Sequence, residues 1–252
     1  MDKNLETRFW EIDFLRGLAI IMMIVYHLLY DLYFFNVYNI NINSGFWWYF
    51  ARTTATIFIL LVGISLTLSY SRARMLNPKS NLYPKYLRRG LKTFAWGLII
   101  TLMTWIFLRR GFIIFGVLHL VGVSIILAYP FLKLRSWNLL MGIIFTSIGM
   151  YLKKFTFGFS WLIWLGFKPD IFYTVDYFPI FPWFGVILIG LFIGNLLYAN
   201  HTRKFNLWDM SNFSFIRLFC FLGRHSLLIY LIHQPILIML LSILGVVNID
   251  FL

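Results

Sequence analysis

Charge is what this sequence has least of. Only 12% of its 252 residues are charged, where soluble domains usually carry about 25%. Acidic residues are scarcer still, nine Asp and Glu against 22 Lys and Arg, for a formal net charge of +13. Cysteine occurs once, at Cys220, so no disulfide can close within the chain and the redox compartment stays open. No internal repeat or low-complexity linker divides the sequence, which reads as one domain over residues 1–252. The opening stretch, MDKNLETRFWEID, mixes charge signs and leads into an apolar run too long for an h-region, so no cleavable signal peptide is expected.

What remains is apolar. Hydrophobic residues make up 61% of the chain and the mean hydropathy is +0.80. A water-soluble protein of this length has no interior large enough for that, so the lipid bilayer is the expected solvent. The positive charge does not point to nucleic acid. Its residues lie between apolar runs, where orientation signals belong, and not along an amphipathic face. Anionic lipid or a phosphorylated cofactor suits the excess better.

Seven runs are long enough for transmembrane helices: roughly 13–35, 46–70, 90–108, 112–132, 137–155, 178–199 and 225–247. The expected fold is therefore an all-α polytopic transmembrane helix bundle of about seven spans. The aromatic stretch 156–177 carries Lys168, Pro169, Asp170 and Asp176 and reads as an interfacial or re-entrant hairpin. Lys/Arg asymmetry sets the orientation. Arg72, Arg74, Lys79, Lys85, Arg88, Arg89 and Lys92 crowd one connection without an acidic residue. Lys133, Arg135, Arg203, Lys204, Arg217 and Arg224 fall on the same side, with Lys3 and Arg8. Arg109, Arg110, Lys153 and Lys154 oppose them, but the balance puts the N-terminus inside and the C-terminus outside. Gly63 and Ser65 allow close helix approach. Pro179 and Pro182 stand at the outer start of the sixth span, where they either free backbone groups that must face protein or a water-filled cavity or simply begin a tilted helix. Trp and Tyr at 47–49 and 161–164 fit interfacial belts.

Ionisable groups inside spans are costly, at least roughly 2.5–3.5 kcal/mol each on insertion scales, and so are candidates for function. His27 and Asp31 share a face of the first helix at i and i+4. A carboxylate there can orient the imidazole and raise its basicity, which suits a general base. At 1.5 Å per residue, His27 lies about 20 Å from the inner end, Arg52 about 10 Å below the outer surface and His119 about 10–12 Å below it. The three fall at nearly one height and are expected to form a single buried cluster. An Asp31–Arg52 pair that merely eases insertion is the plainer alternative, as is a hydrogen-bonded structural His119. His233 comes from the inside and sits lower. A metal is not expected, because Arg52 in the same layer repels a cation. At the inner end Asp13, Arg16, Arg88, Arg89, Arg224 and His225 suggest a phosphate-binding rim, against the alternative of ordinary positive-inside anchoring.

Four blocks also carry a family resemblance. DFLRGLAIIMMIVYHLLYDLYFF, FGVLHLVGVSIILAYP, DYFPIFPWFGVILIGLFIG and LGRHSLLIYLIHQPILI stand here in that order. They resemble small prokaryotic members of the heparan-alpha-glucosaminide N-acetyltransferase catalytic domain family, over nearly the whole chain. The resemblance implies a membrane acyltransferase that takes an acyl group from acetyl-CoA or another acyl-CoA on the cytosolic side. The acceptor would be a sugar or glycan amine or hydroxyl, and the location a prokaryotic cell membrane, with a homodimer left open. Among membrane acyltransferases with a similar RG…H opening the His is regarded as catalytic, which falls on His27, with Arg16 and Gly17 as the motif start. Asp31, Arg52 and His119 are then its expected helpers. Arg16, Arg88, Arg89, Arg224, His225 and His233 are the expected acyl-CoA contacts. The lysosomal relative has Asn where His27 stands and uses a His in the following luminal loop, whereas 36–45 here contain none. A transporter or channel with an intramembrane relay and a non-catalytic scaffold are the competing readings.

Overall fold

The sequence breaks its apolar runs at glycine, proline and short polar turns, and the helices follow those breaks. In the computed structural model, which describes residues 8–39, 41–42 and 44–247, eight α-helices and two 3₁₀ turns make up the regular structure. They are α1 (Trp10–Phe34), α2 (Gly45–Leu76), α3 (Tyr83–Leu108), α4 (Val117–Phe131), α5 (Trp137–Leu152), α6 (Ile180–Leu197), α7 (Ser214–Arg224) and α8 (Ser226–Ile243). The described chain is otherwise irregular, with two isolated β-bridges, so the all-α expectation holds. Glu11 and Asp13 in the first turn of α1 complement the positive end of its dipole. Pro84 sits in the first turn of α3, where a missing N–H costs nothing.

Five helices, α1, α2, α3, α6 and α8, are long and apolar enough to cross a membrane, while α4 and α5 are shorter apolar helices of 15 and 16 residues. The outward face of α3 carries Leu98, Leu102, Trp105 and Ile106, all exposed. Such a continuous apolar surface belongs in lipid. The helices coincide with the seven expected runs, with two differences. The fourth begins at Val117, not 112, because 112–116 is held extended by the segment before α6. The connection 200–224 contains an unforeseen eleven-residue helix, α7.

Two compact units divide the chain. The first comprises residues 1–61 and 207–252 and holds α1, the beginning of α2, α7 and α8. Its packing depends on glycine. A Cβ at Gly17 would lie 2.0 Å from the Phe219 carbonyl oxygen, and one at Gly223 would lie 1.8 Å from that of Asp13. α1 and α7 therefore cross backbone to backbone.

The second unit, residues 62–206, holds the remainder of α2 and α3 to α6. Here α3 packs on α4 and α5 on α6. Gly63 meets the backbone of α6 at Ile187 and Gly190, as its small size suggests, and Thr67 donates to the Leu191 carbonyl. The 153–179 segment is no span. It forms turns and a 3₁₀ turn at Ile163–Leu165, then docks on the start of α4. Val175 N–H donates to Gly111 O and Phe178 N–H to Phe115 O, while Thr174 donates to Phe112 O. The Asp176 carboxylate accepts from Val117 N–H and so caps α4. Tyr177 donates to Ile163 O, and burial pushes its phenol up to about 12. Pro182 packs against α5 where Gly149 leaves space, and Gly166 lies beside Phe181 O, so the freed backbone at the start of α6 faces protein.

Candidate functional site

Within the first unit, the face of α1 that carries His27 and Asp31 meets α8 at His233 and Gln234. The i,i+4 spacing does place both residues on one face, but they do not bond to each other. Asp31, which is buried, accepts a hydrogen bond from the Gln234 side-chain amide through Oδ1. Its Oδ2 and the Gln234 Oε1 are buried without a partner. The His27 ring turns instead to His233, edge to face, with ring centroids 4.8 Å apart. The reason is the neighbour: α8 supplies an amide donor for the carboxylate and an aromatic face for the imidazole. The expected His27–Asp31 hydrogen bond is replaced by two contacts across the helix pair.

His233 is set by its own helix. Its Nδ1 lies 2.7 Å from Tyr230 O, which makes Nδ1 the protonated nitrogen and leaves Nε2 with its lone pair. That Nε2 is buried and has no hydrogen-bond partner. Two imidazoles, an amide and a carboxylate thus gather between α1 and α8, with several acceptor positions unused. Buried polar atoms without partners are uncommon and cost roughly 1–3 kcal/mol each, so a cluster of them asks for a ligand or a water.

Arg52, in the same unit, is not part of that group. It is exposed near the start of α2, its guanidinium 5.6 Å from the Trp48 ring centroid. No Asp31–Arg52 ion pair forms among the described residues. His119 belongs to the second unit. Its Nδ1 accepts from Gly116 N–H at 3.2 Å, and its Nε2 lies 3.3 Å from the Thr101 hydroxyl, which donates to Ile113 O. Phe94 and Phe115 rings flank it. Both nitrogens are engaged, and the side chain caps α4.

The basic residues expected at the inner end are partly spent on Asp13. Asp13, which is buried, receives Arg224 Nε at 3.1 Å and Arg16 Nη1 at 3.4 Å. His225 joins α7 to α8, its Nδ1 2.9 Å from Phe221 O. Arg88 and Arg89 are exposed on the first turns of α3, in the other unit.

Sequence reasoning missed Gln234, whose signal was available: it is an amide inside an apolar run, next to His233 and Pro235. It also missed His201, buried in the turn after α6, and Thr101, an ordinary helical residue until its partner is known.

A family model described as the heparan-alpha-glucosaminide N-acetyltransferase catalytic family matches residues 8–235. No curated protein and no solved structure gave a significant match.

Proposed function

Since the chain belongs to the heparan-alpha-glucosaminide N-acetyltransferase catalytic family, we propose that it moves an acyl group, acetyl first, from cytosolic acyl-CoA to a sugar amine or hydroxyl at the outer side of the membrane. The observation that carries the reading is the imidazole of His27, half-buried on a span and held against His233. His27 removes a proton from the acceptor nitrogen or oxygen. The acceptor attacks the thioester carbonyl, the tetrahedral intermediate collapses, and the CoA thiolate leaves with the proton that His27 returns. His233 fixes the His27 ring, and Asp31 acts through Gln234, holding α8 in register with α1.

The developing oxyanion needs a donor, and Arg52 and His119 are the two candidates. Both nitrogens of His119 are engaged in the cap of α4, so a structural part suits it better. Arg52 stands against Trp48, outside the His27 group, and would have to turn toward the thioester to meet the charge that develops. For the acyl-CoA phosphates, Arg16, Arg224 and His225 of the first unit offer what their bonds to Asp13 and Phe221 leave over. Arg88 and Arg89, exposed on the second unit, are proposed phosphate contacts of that unit by itself. His233, deeper in the span, would meet the pantetheine end. No metal is needed for this chemistry.

Transfer of radiolabelled acetyl from acetyl-CoA to a hexosamine acceptor, with purified protein, tests the proposal. General-base removal costs typically about 10²–10⁴-fold, so His27→Ala is expected to lose at least a hundredfold while still inserting and eluting as the parent does. Retained transfer in that variant sinks the mechanism. Flux across proteoliposomes without acyl-CoA consumption would instead favour the transporter reading.

A further inference from the structure

The α7 helix raises a question that acyl transfer does not answer. It is short, amphipathic and basic, and a cavity of about 650 Å³ lies beside it. Trp10, Ser211, Ser214, Arg217, Leu218, Cys220, Phe221 and Arg224 line that cavity, all within the first unit. Three observations describe the chemistry it selects. Arg217 is exposed, and its guanidinium has no partner among the described residues. The Trp10 indole forms part of the wall. The Ser211 and Ser214 side chains stand at the start of α7, where backbone N–H groups also point outward. Asp13 draws on Arg224 and Arg16, so Arg217 is the cation left for a ligand. Together these are hydrogen-bond donors and positive charge around a hollow, which is the requirement of a phosphate oxygen cluster.

The walls say more. Leu218 and Phe221 line the cavity and are also exposed, together with Phe215, on the apolar side of α7. A ligand seated at Arg217 would therefore continue along an apolar surface. A free phosphate makes no use of that surface, whereas a phospholipid does, with its headgroup in the cavity and its chains along Leu218 and Phe221. We infer that the α7 cavity binds the phosphate of an anionic phospholipid, so that α7 lies in the inner interface as a lipid-reading element. The site is separate from the His27 group; it shares Arg224 with the proposed acyl-CoA contacts, and Arg217 belongs to it alone.

The test uses the full chain in neutral detergent. Dihexanoyl phosphatidylglycerol, dihexanoyl phosphatidylcholine and sodium pyrophosphate are titrated separately, with binding read by calorimetry and by native mass spectrometry. The parent should bind phosphatidylglycerol at least tenfold more tightly than phosphatidylcholine. Arg217→Gln should lose at least tenfold, and Arg217→Lys should keep most of the affinity, each with unchanged elution volume and thermal midpoint. If pyrophosphate binds through Arg217 and the lipid does not, the phosphate site stands but the lipid assignment falls. If neither binds, or if Arg217→Gln binds as the parent does, the inference is overturned.

Discussion

Among the described residues, the Asp31 side chain makes one hydrogen bond, to a residue 203 positions away. That bond is the kind of detail on which a helix pair in a membrane depends, because hydrocarbon offers no substitute donor. Gln234→Leu would leave the buried carboxylate without its donor, and a hydrogen bond to a charged group is worth about 1.5–3 kcal/mol. The thermal midpoint in detergent should fall for Gln234→Leu. It should recover most of that loss when Asp31→Leu is added, since removing both partners is far less costly than removing one. A double variant no better than the single one would show that the pair does not couple. Sequence spacing put His27 and Asp31 on one face because helical periodicity is a local property. The partners on that face are tertiary, and nothing in the first helix announces which residue of the last one will meet it.

Cys220 supplies a pH test at the same scale. Its thiol is buried and donates to Trp10 O at 3.3 Å. Burial first, and then the Asp13 carboxylate, push it up, with Arg224 opposing them. A raised value means less thiolate at any given pH, so alkylation in the folded protein should be slow at neutral pH. Its rate should keep rising with pH beyond the range where a free cysteine levels off. Iodoacetamide labelling across a pH series, against a denatured control, reads this directly. Matching profiles for the folded and denatured chain would contradict it.

At the scale of elements, the α1–α7 crossing rests on the absence of two side chains. A methyl group at Gly17 would lie 2.0 Å from a carbonyl oxygen on α7, and neither backbone can yield without moving its helix. Gly17→Ala should therefore destabilise by about 1–3 kcal/mol, as overpacking does. Gly158→Ala, where nothing lies within 4 Å, should be silent. Thermal unfolding of the two variants in detergent separates close packing from a general effect of adding a methyl. Gly17 stood out in the sequence only through the RG motif of the family resemblance. α7 itself was hidden for a physical reason. Apolar length is the signal for a span, whereas α7 is an eleven-residue helix with an apolar stripe and an arginine at its end, so it read as a connection. The proline-rich start of α6 was legible as a place where backbone groups need partners. That this backbone would pack against Gly149 and Gly166 was not.

For the whole molecule, the seven apolar runs were legible because roughly 20 apolar residues in a row have few other uses. Their sidedness remains a reading of charge. α4 and α5 make that reading testable, since at 1.5 Å per residue they are about 22–24 Å long, short of a core of about 30 Å. If both cross, the turn with Lys133 and Arg135 lies inside, as the positive-inside pattern requires. If neither crosses, the termini keep the same sides but this turn lies outside. α4 favours crossing, because Leu118, Leu120, Val121, Ile125 and Ala128 are buried by their neighbours, as in a helix surrounded by others. Apolar residues Phe112, Ile113, Ile114 and Phe115 also extend its apolar length at its N-terminal end. In a Cys220→Ser background, Ser136→Cys should therefore be shielded from an impermeant maleimide added to intact cells and become reactive after permeabilisation. Ser160→Cys should label from outside in both arrangements and Ser80→Cys from inside in both. Labelling of Ser136→Cys in intact cells would establish five crossings and move two of the inner basic residues to the outer face.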